Sequence, residues 1–214
     1  MKRNLVIICC FIFTALLSYE AKAQCEDCIS PKQCMEVTYY ADGCGHPTAY
    51  ICYECSPTSN YVHVEVLEIR NIYASEECVD VSWDALFEWI KNNVDKLCGN
   101  IDCDDGHTYL KITKPKCANL IYDHDNGSIS IQVDITLCGD RRCVTEYEWC
   151  TCYCTPSCWD PKCNTQPSYT KITPISGSWV GTGSCDFTPY GPGTDYPFTH
   201  SWIINCQELT ASCP

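Results

Sequence analysis

The cysteines are the side chains with the widest range of chemistry in this chain, and they are densest between Cys143 and Cys163. That stretch, CVTEYEWCTCYCTPSCWDPKC, contains six cysteines interleaved with tyrosine and tryptophan. Sulfurs at this density could bind a metal ion, take part in thiol–disulfide exchange, or form structural disulfides. Each alternative requires a different arrangement, so the choice depends on the secondary structure that positions the sulfurs.

Cys150, Cys152 and Cys154 are predicted to lie on one strand, because the surrounding residues 144–153 are rich in β-branched and aromatic types. Cysteines two residues apart on one strand face are separated by roughly 6.5–7 Å. A disulfide needs Cβ atoms about 3.5–4.5 Å apart. We therefore predict that each of the three pairs with a different cysteine outside the trio.

Two local disulfides are predicted from short intervening turns. Cys138 and Cys143 flank a turn that contains aspartate, and Cys158 and Cys163 flank one that contains proline. Turns of this kind bring the flanking residues close together, so Cys138–Cys143 and Cys158–Cys163 are the expected local pairs.

Zinc binding is the main alternative for the first cysteines. Cys25 with Cys28, and Cys52 with Cys55, form two Cys-x-x-Cys pairs of the kind found in zinc sites. Two further cysteines lie between these pairs, and thiols of an exported protein usually oxidise. Neither pair opens a helix, as a redox-active pair would. Disulfides are favoured, and no metal or other cofactor is predicted.

The amino terminus predicts export. It has a basic opening, an apolar run over residues 5–17 and a small-x-small site at Ala21-Lys22-Ala23. This pattern is typical of a signal peptide, here residues 1–23, cleaved before Gln24.

Two of the 22 cysteines fall in the predicted signal peptide, and the remaining even number predicts ten intrachain disulfides. The twenty are Cys25, Cys28, Cys34, Cys44, Cys52, Cys55, Cys78, Cys98, Cys103, Cys117, Cys138, Cys143, Cys150, Cys152, Cys154, Cys158, Cys163, Cys185, Cys206 and Cys213.

Charge and hydropathy narrow the range of partners. The formal net charge is −13, and removal of Lys2, Arg3, Glu20 and Lys22 with the signal peptide changes it to −15. A surface this acidic repels polyanions, which argues against nucleic acid as a partner. No second apolar segment reaches the roughly 20 residues of a spanning helix, so no membrane span is predicted in the mature chain.

The predicted fold is mainly β (α+β at most), with disulfide-rich antiparallel modules. Strands are expected at 37–40, 61–69, 109–113, 128–137 and 144–153, with a hairpin at Asn126-Gly127. A faint repeat of strand, Cys-Gly turn and strand suggests one module at 24–99 and another at 100–176. Residues 177–214 are rich in Gly, Pro and aromatics, and are predicted to form an ordered appendage with a short strand at HSWIIN.

One amphipathic helix is predicted at about 83–97 and is expected to pack on a sheet. Apolar residues recur there at helical spacing, from Trp83 to Leu97. Ser82 is the predicted N-terminal cap and Gly99 the C-terminal stop.

No sequence motif predicts catalysis, and no catalytic residue is assigned. Glu146 and Glu148 share a predicted strand face and could form the carboxylate pair of a secreted hydrolase, although such alternation is ordinary on an exposed strand. The segments at 102–107 and 123–127 resemble calcium loops in composition without having the full EF-hand spacing. His46, His63, His107, His124 and His200 show no metal-ligand spacing.

Together these features predict a non-enzymatic, exported, disulfide-linked β protein that serves as a surface, matrix, filament or binding component. Its expected location is extracellular or on the cell surface, or periplasmic in a bacterium. Its expected partner is another copy of itself, in a polymer or matrix, or another cell-surface component. A secreted hydrolase and a calcium-binding extracellular module are the alternatives.

Overall fold

The computed structural model describes residues 25, 28–56, 61–124, 129–135, 138–209 and 213. These residues form nine strands and one α-helix, and the prediction of a mainly β fold with one helix packed on a sheet is confirmed. The strands are β1 (Gln33–Thr38), β2 (Thr48–Ser56), β3 (Tyr61–Tyr73), β4 (Thr108–Pro115), β5 (Cys117–Asp123), β6 (Ser130–Asp134), β7 (Arg142–Cys152), β8 (Tyr169–Val180) and β9 (Trp202–Glu208). The helix is α1 (Cys78–Cys98), and short 3₁₀ turns occupy Pro156–Cys158 and Pro161–Asn164.

The long strand β3 organises the sheet. It pairs with β2 on one side, and on the other with β4 along its first half and β6 along its second half. From there one wing continues from β4 through β7 to β8, and the other from β6 through β5 to β9. Strand pairing in the described ranges is antiparallel except between β3 and β4. That pair is parallel because α1 lies between the two strands in sequence and returns the chain to the end where β3 began.

The two faces of the sheet differ in polarity because side chains alternate along each strand. On β3, Val62, Val64 and Val66 are buried in the core that the sheet shares with α1. His63 and Glu65 point to the opposite face and are half-buried. The sheet therefore has one apolar face covered by the helix and an opposite face that is polar around His63 and Glu65, while Tyr50, Cys52 and Leu67 form a small buried cluster apart from the main core.

Helix α1 begins earlier than its sequence pattern predicted. It starts at Cys78, so the prediction that Ser82 caps it is wrong: Ser82 lies inside the helix and is fully buried. The predicted stop at Gly99 is confirmed, since this residue is the C-terminal cap with a φ of 80°. The apolar residues Trp83, Leu86, Ile90 and Val94 are completely buried, as the helical spacing requires.

The strands of all three predicted segments belong to this one sheet. The boundary after residue 99 lies between α1 and β4, and the boundary after residue 176 falls inside β8. The division into 24–99, 100–176 and 177–214 stays a prediction.

Strands β5 and β6 pair antiparallel, as the predicted hairpin requires. The turn of this hairpin at Asn126-Gly127 lies outside the described residues, as does the predicted signal peptide 1–23.

The C-terminal segment is integrated with the sheet through an aromatic cluster. Strand β9, close to the strand predicted at HSWIIN, pairs with β5. The Trp202 ring lies 5.4–6.1 Å, between centroids, from four other rings. These rings belong to Tyr122, Tyr190, Tyr196 and Phe198. The Trp202 indole also donates a hydrogen bond to the Pro197 carbonyl at 3.1 Å.

Candidate functional site

The twenty described cysteines form ten disulfides, and seven of these join residues at least 24 positions apart in the sequence. The pairs are Cys25–Cys34, Cys28–Cys52, Cys44–Cys78, Cys55–Cys98, Cys103–Cys150, Cys117–Cys185, Cys138–Cys206, Cys143–Cys213, Cys152–Cys158 and Cys154–Cys163. Cys150, Cys152 and Cys154 each have a partner outside the trio.

The two predicted local disulfides are wrong. Cys138 and Cys143 instead reach Cys206 and Cys213, which lie 68 and 70 residues further along the chain. Strand β9 returns beside β5, where the Asn119 side chain accepts a hydrogen bond from the Cys206 backbone at 3.0 Å. This pairing brings the C-terminal cysteines close to residues that are remote in sequence.

The sulfurs considered for zinc are divided among different disulfides. Cys28 pairs with Cys52, while Cys25 and Cys55 pair with two other cysteines. Among the described residues, one group of three potential ligand atoms lies within 4.8 Å, formed by Cys152, Cys154 and Cys163. All three are in disulfides, whereas a cysteine binds a metal ion as its free thiolate.

Glu146 and Glu148 lie on the polar face of the sheet, on strand β7. Glu146 is paired with Lys111 of the neighbouring strand, with 2.9 Å between the ammonium nitrogen and the carboxylate oxygen. A second ion network lies beside this pair, in which the Glu65 carboxylate contacts Lys32 at 3.4 Å and Arg142 at 3.6 Å. The charges of Glu65 and Glu146 are thus balanced within the sheet, and the hydrolase alternative stays a prediction.

Two carboxylates of the calcium-like segment at 102–107 already accept hydrogen bonds. The Asp102 carboxylate accepts from the Asp104 backbone at 3.0 Å, and the Asp104 carboxylate accepts from the Ser157 hydroxyl at 2.8 Å. The second segment is described only at Asp123 and His124, where the histidine ring stacks on Tyr122. Calcium binding stays a prediction for both segments.

Of the histidines, His63 occupies the most constrained position. Its Nε2 lies 2.8 Å from the Thr113 hydroxyl, and burial lowers the pKa of its ring, with Glu65 acting in the opposite direction. The folded state therefore binds a proton less readily than the unfolded chain, whose histidine has the ordinary pKa of 6.5.

We expect acid to destabilise the protein through His63. Below pH 6.5 the unfolded state binds this proton and the folded state does not, so the free energy of unfolding decreases as the pH falls from that value towards the lower folded pKa. Urea unfolding as a function of pH measures the effect. H63Q should weaken this pH dependence, and H107Q, the same substitution at an exposed position, is the control for the change of side chain. Equal acid sensitivity in wild type and H63Q would contradict the assignment.

Three cavities are candidates for ligand binding. One of about 300 Å³ lies beside the first turn of α1, between Asp80 and Tyr190. The Tyr190 hydroxyl donates to the Glu76 carbonyl at 3.2 Å, and burial raises the pKa of both the Tyr190 phenol and the Asp80 carboxyl. The lining of this cavity therefore combines carboxyl groups with aromatic rings.

The second cavity, of about 510 Å³, lies beside the last residue of α1 and is lined by the Cys55–Cys98 disulfide, Thr108 and Trp149. Thr108 on β4 and Trp149 on β7 are directly opposite each other. The Thr108 hydroxyl and the Trp149 indole nitrogen are buried without a hydrogen-bond partner in the described ranges.

The third cavity, of about 390 Å³, is the most polar and lies beside the last turns of α1. Its lining combines a carboxylate, an ammonium group, side-chain amides, hydroxyls and one tyrosine ring. The residues are Asn92, Asp95, Thr151, Lys162, Gln166, Ser168, Tyr169 and Thr170. No sequence pattern marks them as a site, because they come from four separate elements and the segment that joins two of these.

A comparison with known protein families, curated proteins and solved structures finds no match to this chain. Among the described residues, no helix has the length and apolar character needed to cross a membrane.

Proposed function

We propose that the protein is an exported, non-enzymatic binding component of a cell surface or extracellular matrix, built as a covalently fixed β scaffold. The chain would associate with other copies of itself or with another surface component. The observation that carries this proposal is the placement of the disulfides at the ends of structural elements.

Helix α1 is disulfide-bonded at its first and last residues. Cys78 is joined to Cys44 in the connection between β1 and β2, and Cys98 is joined to Cys55 near the end of β2. Neither end of the helix can separate from the sheet without breaking a covalent bond. Such fixation supports a role in which the protein keeps its shape outside the cell, where thiols oxidise and proteases are present.

The C-terminal segment is fixed in the same way. Cys185, Cys206 and Cys213 form disulfides with cysteines 68–70 residues earlier. These cross-links constrain the unfolded chain over long loops, for which the chain-entropy model gives the largest stabilisation. They support the proposal of a durable scaffold.

Cell fractionation combined with alkylation tests the proposal. We expect the native protein in the extracellular or surface fraction, with no cysteine alkylated before reduction and twenty alkylated after reduction. We also expect resistance to protease that is lost when the disulfides are reduced. Cytoplasmic protein with alkylatable thiols would overturn the proposal, as would enzymatic turnover lost in E146Q or E148Q.

A further inference from the structure

The polar cavity beside α1 has walls held in place by covalent and hydrogen bonds. One wall is the 3₁₀ turn Pro161–Asn164, attached to the end of β7 by the Cys154–Cys163 disulfide. The Asp160 side chain caps this turn by accepting a hydrogen bond from the Lys162 backbone at 3.0 Å. The cavity is therefore preorganised, which reduces the entropy lost when a ligand binds.

The opposite wall comes from α1. Asn93 departs from helical geometry, and its side-chain amide donates to the Trp89 carbonyl at 2.7 Å. Asp95 lies in the turn that follows this irregularity and faces the cavity together with Asn92. Strands β7 and β8 contribute Thr151 and residues 169–170, and the segment between the 3₁₀ turn and β8 contributes Gln166 and Ser168.

Two polar atoms of this lining are buried without a partner in the described part of the chain: Asp95 Oδ1 and Thr151 Oγ1. Thr151 is only 4% exposed. A buried polar group without a hydrogen bond is unfavourable because it has lost its water without replacement. A carboxylate rotates readily about its last bond, so Asp95 can turn either oxygen towards a ligand in the cavity.

The cavity also contains a cation and an anion, Lys162 and Asp95, that are not paired with each other. The Lys162 ammonium lies over the Tyr169 ring, 5.2 Å from its centroid, and no ion pair within 4.0 Å joins it to Asp95 among the described residues. The lining thus offers a strong acceptor, a strong donor, amides and hydroxyls at separate positions. A ligand that satisfies them needs several groups that both donate and accept hydrogen bonds.

We propose that this cavity binds a neutral saccharide. Sugar hydroxyls donate to Asp95 and accept from Lys162 and the side-chain amides, and the Tyr169 ring offers an apolar surface for the sugar C–H groups. The net charge of −13 opposes anionic saccharides. The inference rests on the proposed binding role and supplies a ligand class for it.

The proposal is tested by calorimetric titration of the oxidised, full-length secreted protein. The ligands are glucose, galactose, mannose, N-acetylglucosamine and cellobiose. We expect saturable binding of at least one of them at millimolar concentration. D95N should weaken it about tenfold or more, because the charged acceptor becomes a neutral amide and one of its two acceptor oxygens is replaced by a donor. T151V, which keeps the side-chain shape, should weaken it about threefold to tenfold.

D195N is the matched control, since Asp195 is exposed in the C-terminal segment and does not line this cavity. Near-ultraviolet circular dichroism and the disulfide mass of each variant establish that the fold is retained. The absence of saturable saccharide binding, affinity unchanged in D95N and T151V, or binding of zwitterionic glutamine in place of saccharides would each overturn the proposal. Oxidised, surface-located protein that binds no saccharide would leave the proposed scaffold function standing.

Discussion

Replacing Cys55 and Cys98 together by alanine should lower the free energy of unfolding by ~4 kcal/mol, the chain-entropy value for a loop of 43 residues. This disulfide holds the last residue of α1 against the end of β2. Without it the unfolded chain gains freedom and the end of the helix can separate from the sheet. Urea unfolding followed by circular dichroism measures the change.

The matched control is the double alanine variant of Cys25 and Cys34. Their loop spans nine residues, so the same model gives a smaller loss of ~2.6 kcal/mol. Protease digestion should begin near the last turn of α1 in the first variant and not in the control. A loss for the Cys55 and Cys98 variant no larger than that of the control would contradict the role assigned to the helix-end disulfide.

Trp83→Ala should be the most destabilising single substitution in α1, with a loss of about 3–5 kcal/mol. Trp83 is completely buried between the helix and the sheet. Its ring stacks on Phe87 with 5.8 Å between centroids, and the Lys114 ammonium lies 5.3 Å from it. The substitution therefore leaves a cavity and also removes one of the aromatic rings that the half-buried Lys114 ammonium contacts. Urea unfolding gives the magnitude.

Trp159→Ala provides the comparison, because Trp159 is 62% exposed. Its replacement should change the free energy of unfolding by no more than about 0.5 kcal/mol, as is usual for surface positions. Similar losses for both tryptophan variants would mean that α1 does not depend on Trp83 for its attachment to the sheet.

The sequence predicts those features of the fold that follow from local periodicity. Alternation of β-branched and aromatic residues located β3 and β7, and the helical spacing of apolar residues located α1. The start of α1 was missed because Ser82 resembles a cap, whereas tertiary packing buries it and the Cys44–Cys78 disulfide fixes the first turn. The parallel pairing of β3 with β4 was missed because it joins residues about 50 positions apart.

The candidate site was less predictable than the fold. Strand geometry separates Cys150 and Cys152, so their separate pairing follows from local rules, whereas the prediction that Cys154 shares their strand is wrong, because β7 ends at Cys152 and Cys154 has a φ of 57°. The partners of Cys138 and Cys143 depend on where β9 returns, which no local pattern indicates. The polar cavity beside α1 brings together Asn92 and Thr170 from different elements, and none of its side chains belongs to a motif.

The connectivity of the disulfides determines how the chain can mature. Cys117, Cys138 and Cys143 have partners at Cys185, Cys206 and Cys213, so the three disulfide loops overlap along the sequence. During the proposed export, the chain exposes Cys150 and the next four cysteines, up to Cys163, before any of those three partners emerges. Oxidation in order of synthesis would therefore trap incorrect pairs, which exchange must later resolve. Correct maturation should depend on a disulfide isomerase, and recombinant yield should depend more on isomerase activity than on the strength of the oxidant.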